Sequence, residues 1–334
     1  MTGRKSGLKT WQIMLIGIIT LALYVLYYFA SGKTYNSTFL VYICSFIMAG
    51  EGWNVLGGYV GEISFGQAVF FGIGSYVVAL PVGYGFNIPL WLLIILGAVI
   101  SGLFAWLISY PLLRVKGFPF LIGTFGLGII FYSVFKNNKA LFSNKGVFIR
   151  GVNSDIAYIV IIAVTILMTI FVYYLANSDL GLSFQAVRDM PEAAEMIGIN
   201  IYKTKAKALV IGATMTGLAG ALYALYSAHI TPNVTFDAAI SNDILLGSYI
   251  GGCGTVIGPV IGGALFIWMQ EWARSVITIT GGHNLLLGIM LIVVMMTMRE
   301  GVWPTILKLF KKKNQPAKPE NKKGPDLKQP DSEV

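Results

Sequence analysis

The sequence predicts an all-α membrane protein, a polytopic helical bundle with about ten transmembrane segments. Three observations lead to this fold class. The mean hydropathy of the 334 residues is +0.72. Only 12% of the residues are charged, whereas a soluble globular domain carries about 25%. Uncharged apolar runs follow one another along the chain, and most are close to the ~20 residues that a helix needs to cross a bilayer.

The first apolar run, Trp11–Ala30, follows a basic N-terminus over residues 1–10. It is longer than the core of a signal peptide and has no small-residue cleavage site, which indicates a membrane span. Further spans are predicted at Ser37–Gly58, Ile63–Gly83, Ile88–Tyr110, Gly117–Phe135, Ile156–Asn177, Ala208–Ala228, Ala238–Cys253, Gly254–Gln270 and Gly281–Met298. Ala238–Cys253 is short and contains Asp243, so a half-crossing or a kinked span is an alternative there.

Basic residues predict the orientation, because Lys and Arg accumulate on the cytoplasmic side of membrane proteins. Both termini are basic. We therefore predict a cytoplasmic N-terminus over residues 1–10, a transmembrane domain over 11–298 and a basic, disordered cytoplasmic tail over 299–334 that touches anionic lipid. Four basic residues do not fit this orientation, because alternation of the spans places them outside the cell: Lys136, Lys139, Lys145 and Arg150.

The longest polar interval within the membrane domain, Leu180–Lys207, predicts a short helix outside the membrane. Alternation of ten spans from a cytoplasmic N-terminus places this interval in the cytoplasm. Proline suits the first turn of a helix, acidic residues stabilise its N-terminal end, and alanine is the best helix former. These types occur in succession as Pro191, Glu192, Ala193, Ala194 and Glu195. Gly198 is placed to end the helix in a left-handed cap. The helix is either a docking element for a groove on another protein or an ordinary loop helix.

Glycine placement is the second organising pattern. Small residues recur every fourth position, a spacing that lets helix backbones approach closely in lipid. They do so at Gly212, Thr216 and Gly220, and again at Gly254, Gly258 and Gly262. Two glycine-rich breaks, Gly57–Gly61 and Gly251–Gly254, lie one in each half of the chain. Paired interruptions of this kind are typical of a transport pathway.

Ionisable and polar residues inside membrane segments are candidates for a translocation path. The candidates are Glu51, Asn54, Ser64, Gln67, Thr124 and Asp243. Each of them either contacts a substrate or forms a hydrogen bond between helices. Glu62 is predicted to lie at a segment end, and Glu271 with Arg274 is predicted to form a structural pair at i, i+3.

Several other chemistries are excluded. Gly32–Thr34 resembles the end of a phosphate-binding loop, but Tyr27 stands where that loop needs a glycine, so no ATPase is predicted in this chain. His229 and His283 are isolated, and no metal site or cofactor is predicted. The two cysteines, Cys44 and Cys253, are predicted to be buried thiols. Nine of the 24 Lys and Arg residues lie between Arg299 and Lys328, and the net charge of +9 does not indicate nucleic acid.

Three blocks carry a family resemblance: Gly57–Leu80, Ala208–Ala224 and Gly247–Leu265. Together they resemble the membrane subunits of branched-chain amino-acid ABC importers, the LivM and LivH permeases. The resemblance implies a permease of the bacterial or archaeal cell membrane that works by alternating access and catalyses no chemistry. It implies three partners: cytoplasmic ATP-binding subunits, a second homologous permease subunit and an extracytoplasmic solute-binding protein. The interval Leu180–Lys207 is implied to be the cytoplasmic coupling loop, and the residues implied to couple to the ATPase are Arg188, Glu192, Ala193, Ala194, Glu195 and Gly198.

The sequence departs from the family pattern at two places. Gln67 stands where the family often has histidine, and Phe142–Val147 replaces a loop that often reads Thr-Gly-Gly-Pro-Asn-Gly. Both departures leave the substrate open among branched-chain amino acids, urea, short amides and nucleosides. Two rival functions remain at this point. One is an ion-coupled secondary transporter that uses Glu51 and Asp243, and the other is a structural or channel subunit.

Overall fold

The computed structural model describes residues 35–115, 117–141, 145–149, 154–227, 229–276, 282–298 and 301–313. The predicted span Trp11–Ala30, the N-terminus before it, and the tail from residue 314 lie outside the described residues. So do residues 142–144 of the Phe142–Val147 loop.

The described chain is built almost entirely of helices, which confirms the all-α prediction. The helices are α1 (Tyr35–Asn54), α2 (Gln67–Gly83), α3 (Leu90–Leu112), α4 (Phe118–Asn137), α5 (Ser154–Ala176), α6 (Asp179–Asp189), α7 (Pro191–Met196), α8 (Ile201–Ser227), α9 (Pro232–Thr235), α10 (Ala238–Gly251), α11 (Gly258–Val276), α12 (Gly282–Thr297) and α13 (Val302–Lys313). A π-helix, Val55–Val60, continues α1, and Lys139–Leu141 forms a 3-10 turn. Two short strands, β1 (Val147–Phe148) and β2 (His229–Ile230), pair antiparallel.

Five helices of the described residues are long and apolar enough to cross a membrane. They are Phe39–Val60, Leu90–Leu112, Phe118–Asn137, Ile156–Ala176 and Ile201–Ser227. Each of the other predicted spans in the described ranges also contains a helix, but the total of about ten crossings is not confirmed. The α2 helix has 17 residues. The 14 residues of α10 rise only about 21 Å, short of a full crossing.

The longest helix, α8, lies at the centre of the bundle and packs against α1, α2 and α3. Glycines allow these backbones to touch, as predicted for Gly212 and Gly220. A Cβ atom at Gly212 would lie 2.4 Å from the carbonyl oxygen of Gly52, and one at Gly220 would lie 2.0 Å from that of Phe71. Gly258 and Gly262 likewise contact α10, whereas Gly254 precedes α11 and has a φ of +74°. Of the three glycines predicted to allow close helix packing in this part of the chain, Gly258 and Gly262 therefore do so and Gly254 does not.

Gly220→Ala should lower the thermal stability of the detergent-solubilised protein. The added methyl group has no room beside the Phe71 backbone, and overpacking of this kind costs about 1–3 kcal/mol. Gly126→Ala is the matched control, because a Cβ atom at Gly126 meets no neighbouring atom within 4 Å. Equal melting temperatures for the two variants would contradict the close packing of α8.

Contacts among the described residues define two ends of the bundle. At one end, which we call the α7 end, Lys205 in the first turns of α8 pairs with Glu62 after the π-helix. At the other, the β1–β2 end, the Tyr132 hydroxyl donates to Asn233 Oδ1 at 2.8 Å, and Lys136 Nζ donates to Tyr132 at 2.9 Å. That the α7 end faces the cytoplasm stays a prediction.

The tail prediction is wrong at its beginning, because residues 302–313 form α13 and are not disordered. Val302 and Trp303 are nine-tenths buried, and Ile306 packs against the core. Gly301 brings this helix close to the second glycine break, since a Cβ atom there would lie 2.5 Å from Gly252 Cα. The first residues of the tail are apolar and pack against the bundle. The basic composition of the tail as a whole did not reveal this.

Candidate functional site

The polar interval Leu180–Lys207 contains the predicted short helix, but a second helix precedes it. Ser178 caps α6 by accepting a hydrogen bond from the Gly181 N–H at 3.3 Å. Met190 separates the two helices with φ −147° and ψ 85°, because a residue before proline avoids the helical conformation. Pro191 then begins α7. Gly198 has the predicted left-handed conformation, with φ +89°, and its N–H donates to Glu195 O at 3.0 Å.

The two alanines of α7 differ in exposure. Ala193 is exposed, whereas Ala194 is only 2% exposed and packs into the core. Successive residues of an α-helix lie about 100° apart, so adjacent alanines do not share one face. Ala194 is therefore unavailable to a partner in this conformation, while Glu192 and Glu195 remain exposed.

Large apolar side chains surround α7 on its exposed side. Met190 is 68%, Met196 88% and Ile197 75% exposed. They form, with Ala193, what we call the α7 face. Sequence reasoning missed these three residues, although methionine and isoleucine within an otherwise polar interval were a visible signal.

Arg188 turns toward the bundle rather than away from it. Its Nη1 donates to the carbonyl oxygen of Gly58 in the π-helix. Its side-chain stem covers Gly61, where a Cβ atom would lie 3.1 Å from Arg188 Cγ. A Cβ atom at Gly254 would lie 2.5 Å from Arg188 Nη1. The arginine thus reaches from α6 to both glycine-rich breaks.

Asn54 joins the same two breaks from the interior. Its Nδ2 donates to Thr255 O at 2.9 Å, and its Oδ1 accepts from the Gly254 N–H at 2.8 Å. The side chain is fully buried. Gly58 is required beside it, because a Cβ atom there would lie 2.6 Å from the Gly254 nitrogen. The breaks predicted in separate halves of the chain therefore meet at one point.

Three other path candidates lie close together near the α7 end. The Phe65 N–H donates to Thr124 Oγ1 at 3.1 Å, and the Gly66 N–H donates to Ser64 Oγ at 3.2 Å. Ser64 and Thr124 line a cavity of about 10 Å³, which has room for roughly one water. Gln67 Oε1 lies 3.0 Å from the Thr216 hydroxyl of α8. In this conformation these residues hold helices together and surround no open path.

The two deep carboxylates lie at separate interfaces. Glu51 is fully buried, and its Oε1 accepts from the Thr169 hydroxyl of α5 at 2.5 Å. Its Oε2 has no hydrogen-bond partner among the described residues. Asp243 of α10 accepts from Gln270 Nε2 of α11 at 3.2 Å. The six path candidates therefore do not converge on one channel within this chain.

The remaining charged candidates behave as the sequence indicates. Glu62 follows the π-helix and pairs with Lys205, and their side chains are 14% and 12% exposed. Glu271 lies 3.7 Å from Arg274 at the exposed end of α11.

Cys44 is buried, but Cys253 is only half-buried. Within the described ranges, no group of three His, Cys, Asp or Glu side chains is placed to hold a metal ion.

Comparison with known proteins gives a consistent result. Residues 35–295 match the family model described as branched-chain amino acid transport system / permease component. The LivM permease of Salmonella typhimurium is 25% identical over 82% of this chain and 71% of its own. The LivH permease of Escherichia coli is 26% identical over 84% and 96%. The autoinducer 2 import permease LsrC of an Enterobacter species is 26% identical over 60% of each chain. No solved structure matches.

Proposed function

We propose that this chain, which belongs to the family of branched-chain amino acid transport system permease components, is a membrane-spanning subunit of an ATP-driven importer. Membership makes the chain a transport component and not an enzyme. ATP hydrolysis is then the work of a separate cytoplasmic subunit. The observation that carries the proposal is the exposed α7 face, carried on the segment from which Arg188 reaches both glycine-rich breaks.

The α7 face is the docking site for the ATP-binding subunit in this proposal. Exposed apolar side chains clustered on a short helix are typical of a protein interface. Met196 and Ile197 supply the apolar anchors, and Glu192 and Glu195 supply a charged rim. Movement of the docked ATPase then reaches the membrane helices through α6 and α8. Substrate crosses by alternating access in the cell membrane.

Two further partners complete the proposed importer. LivM and LivH are differently named permeases that both resemble this chain, which supports pairing with a second homologous permease subunit. A path built at such an interface explains why the polar candidates of one chain do not converge. The solute-binding protein docks at the β1–β2 end, where Lys136, Lys139 and Lys145 offer positive charge.

The proposed substrate is a branched-chain amino acid or a related small polar solute. Relatives named for branched-chain amino acids support this class, and LsrC shows that related permeases include one named for autoinducer 2 import. Urea, short amides and nucleosides are the alternatives. Vesicles that contain the complete importer should take up leucine with ATP, and excess isoleucine or valine should compete. Competition by urea or a nucleoside, without competition by valine, would reassign the substrate.

An ion-coupled secondary transporter is the less favoured function. Such a transporter needs ionisable groups that exchange a proton or cation along the path. Glu51 is held by Thr169 and Asp243 by Gln270, at separate helix interfaces. These pairings support a packing role for both carboxylates.

A further inference from the structure

The strongest unassigned feature is the contact of Arg188 with the junction of the two breaks. The Gly58 carbonyl lies near the end of the π-helix, where backbone acceptors lack helical partners. The Arg188 guanidinium satisfies this acceptor with a charge-assisted hydrogen bond. Asn54 fixes the second break to the same helix end through Gly254 and Thr255. The side chain of Arg188 therefore ends where both breaks meet. Arg188 lies in α6, directly before the α7 face, and we call α6 and α7 together the docking segment.

This geometry distinguishes Arg188 from the rest of the docking segment. The α7 face points outward, whereas Arg188 is engaged inside its own chain. The residue as a whole remains solvent-exposed, so its hydrogen bond can open without moving a charge out of a closed core. Gly61 and Gly254 both have positive φ and would contact the arginine if they carried side chains. Glycines of both breaks therefore form the surface against which the Arg188 side chain packs.

We propose that Arg188 is a latch that holds the two glycine-rich breaks together, and that displacement of α6 by the docked ATPase opens it. Arg188 is then a positioning residue: it touches neither substrate nor nucleotide. When the guanidinium leaves Gly58 O, only the two Asn54 hydrogen bonds, among those of the described residues, still join the end of the π-helix to Gly254 and Thr255, so the junction opens more readily. This inference rests on the proposed function, and it adds a closed and an open state of the junction.

Cys253 reports directly on the latch, because it lies between Gly252 and Gly254 and is half-buried. The sequence has two cysteines, so Cys44→Ala leaves Cys253 as the single thiol of this chain. We expect Arg188→Ala to raise the accessibility of Cys253 to N-ethylmaleimide about fivefold, the effect of losing one net hydrogen bond. Loss of the positive charge of Arg188 also disfavours the reactive thiolate, so modification rates are compared after division by the thiolate fraction measured in each variant. The reaction is followed on this chain by mass spectrometry within the assembled importer. Arg188→Lys should give an intermediate rate.

Nucleotide state provides a readout that a purely structural arginine would not change. In the importer with Arg188 intact, ATP with vanadate should alter the Cys253 modification rate, and Arg188→Ala should remove that dependence. Arg114→Ala is the matched control, since Arg114 is an exposed arginine that lies 4.0 Å over the Tyr110 ring and does not reach the breaks.

An unchanged rate of Cys253 modification in Arg188→Ala would overturn the latch. The latch would also be overturned if the modification rate in the importer with Arg188 intact were the same with and without ATP and vanadate. Loss of ATPase binding in Arg188→Ala with unchanged modification would place Arg188 at the partner interface instead. The proposed function fails separately, if the importer with Arg188 intact shows no ATP-driven uptake. If Arg188→Ala does not fold, Arg188→Lys decides the question by the same rates.

Discussion

Replacing Met196 and Ile197 with glutamate should detach the ATP-binding subunit from this chain. The two side chains are 88% and 75% exposed, so the substitutions should leave the bundle folded. They place two charges at the centre of the proposed apolar contact. Loss of two anchoring side chains from an interface weakens binding by at least about thirtyfold. The measurement is the dissociation constant for the ATP-binding subunit with the permease held in nanodiscs.

The control for this variant carries the same substitutions at the opposite end of the bundle. Phe86 is 64% and Phe148 63% exposed, and both lie toward the β1–β2 end. Phe86→Glu with Phe148→Glu should leave binding of the ATP-binding subunit unchanged. Equal affinity for both double variants would show that the α7 face is not the docking site.

Gly198→Pro should separate ATP hydrolysis from transport while the ATP-binding subunit stays bound. Proline requires a φ near −65°, whereas Gly198 has +89° and donates its N–H to Glu195 O. The cap that joins α7 to α8 is therefore lost, although Met196 and Ile197 remain. Uptake should fall at least about tenfold, within the range of allosteric coupling energies. Uptake and ATPase activity are measured in the same vesicles.

Gly85→Pro is the control for the cap. Gly85 also has a positive φ, +81°, and its N–H donates to Val82 O at 3.1 Å, but it lies between α2 and α3 at the other end. The two substitutions therefore impose the same backbone change at different places. Full uptake in Gly198→Pro would exclude α7 as the coupling element.

The sequence predicted the features that depend on local chemistry. Helix formation followed from apolar runs, the beginning and end of α7 from Pro191 and Gly198, and the close approach of α8 from Gly212 and Gly220. Each of these needs only neighbouring residues or a known helical spacing. The two breaks were also visible as glycine clusters.

Features that depend on three-dimensional placement escaped prediction. Nothing local indicates that Arg188 turns inward to Gly58, 130 positions away in the chain. The burial of Ala194 depends on how α7 is seated beside α6 and α8. The count of about ten spans is not confirmed, because hydropathy does not distinguish a helix of 14 residues, such as α10, from one that crosses the bilayer.

The energy source of uptake tests the central claim most directly. Vesicles that contain this chain, a second permease subunit, the ATP-binding subunits and the binding protein should accumulate leucine with internal ATP. Vanadate should stop the uptake, and an ionophore that collapses the proton and sodium gradients should leave it intact. Uptake that persists without the ATP-binding subunits and disappears with the ion gradient would contradict the account and return Glu51 and Asp243 to the centre of the mechanism.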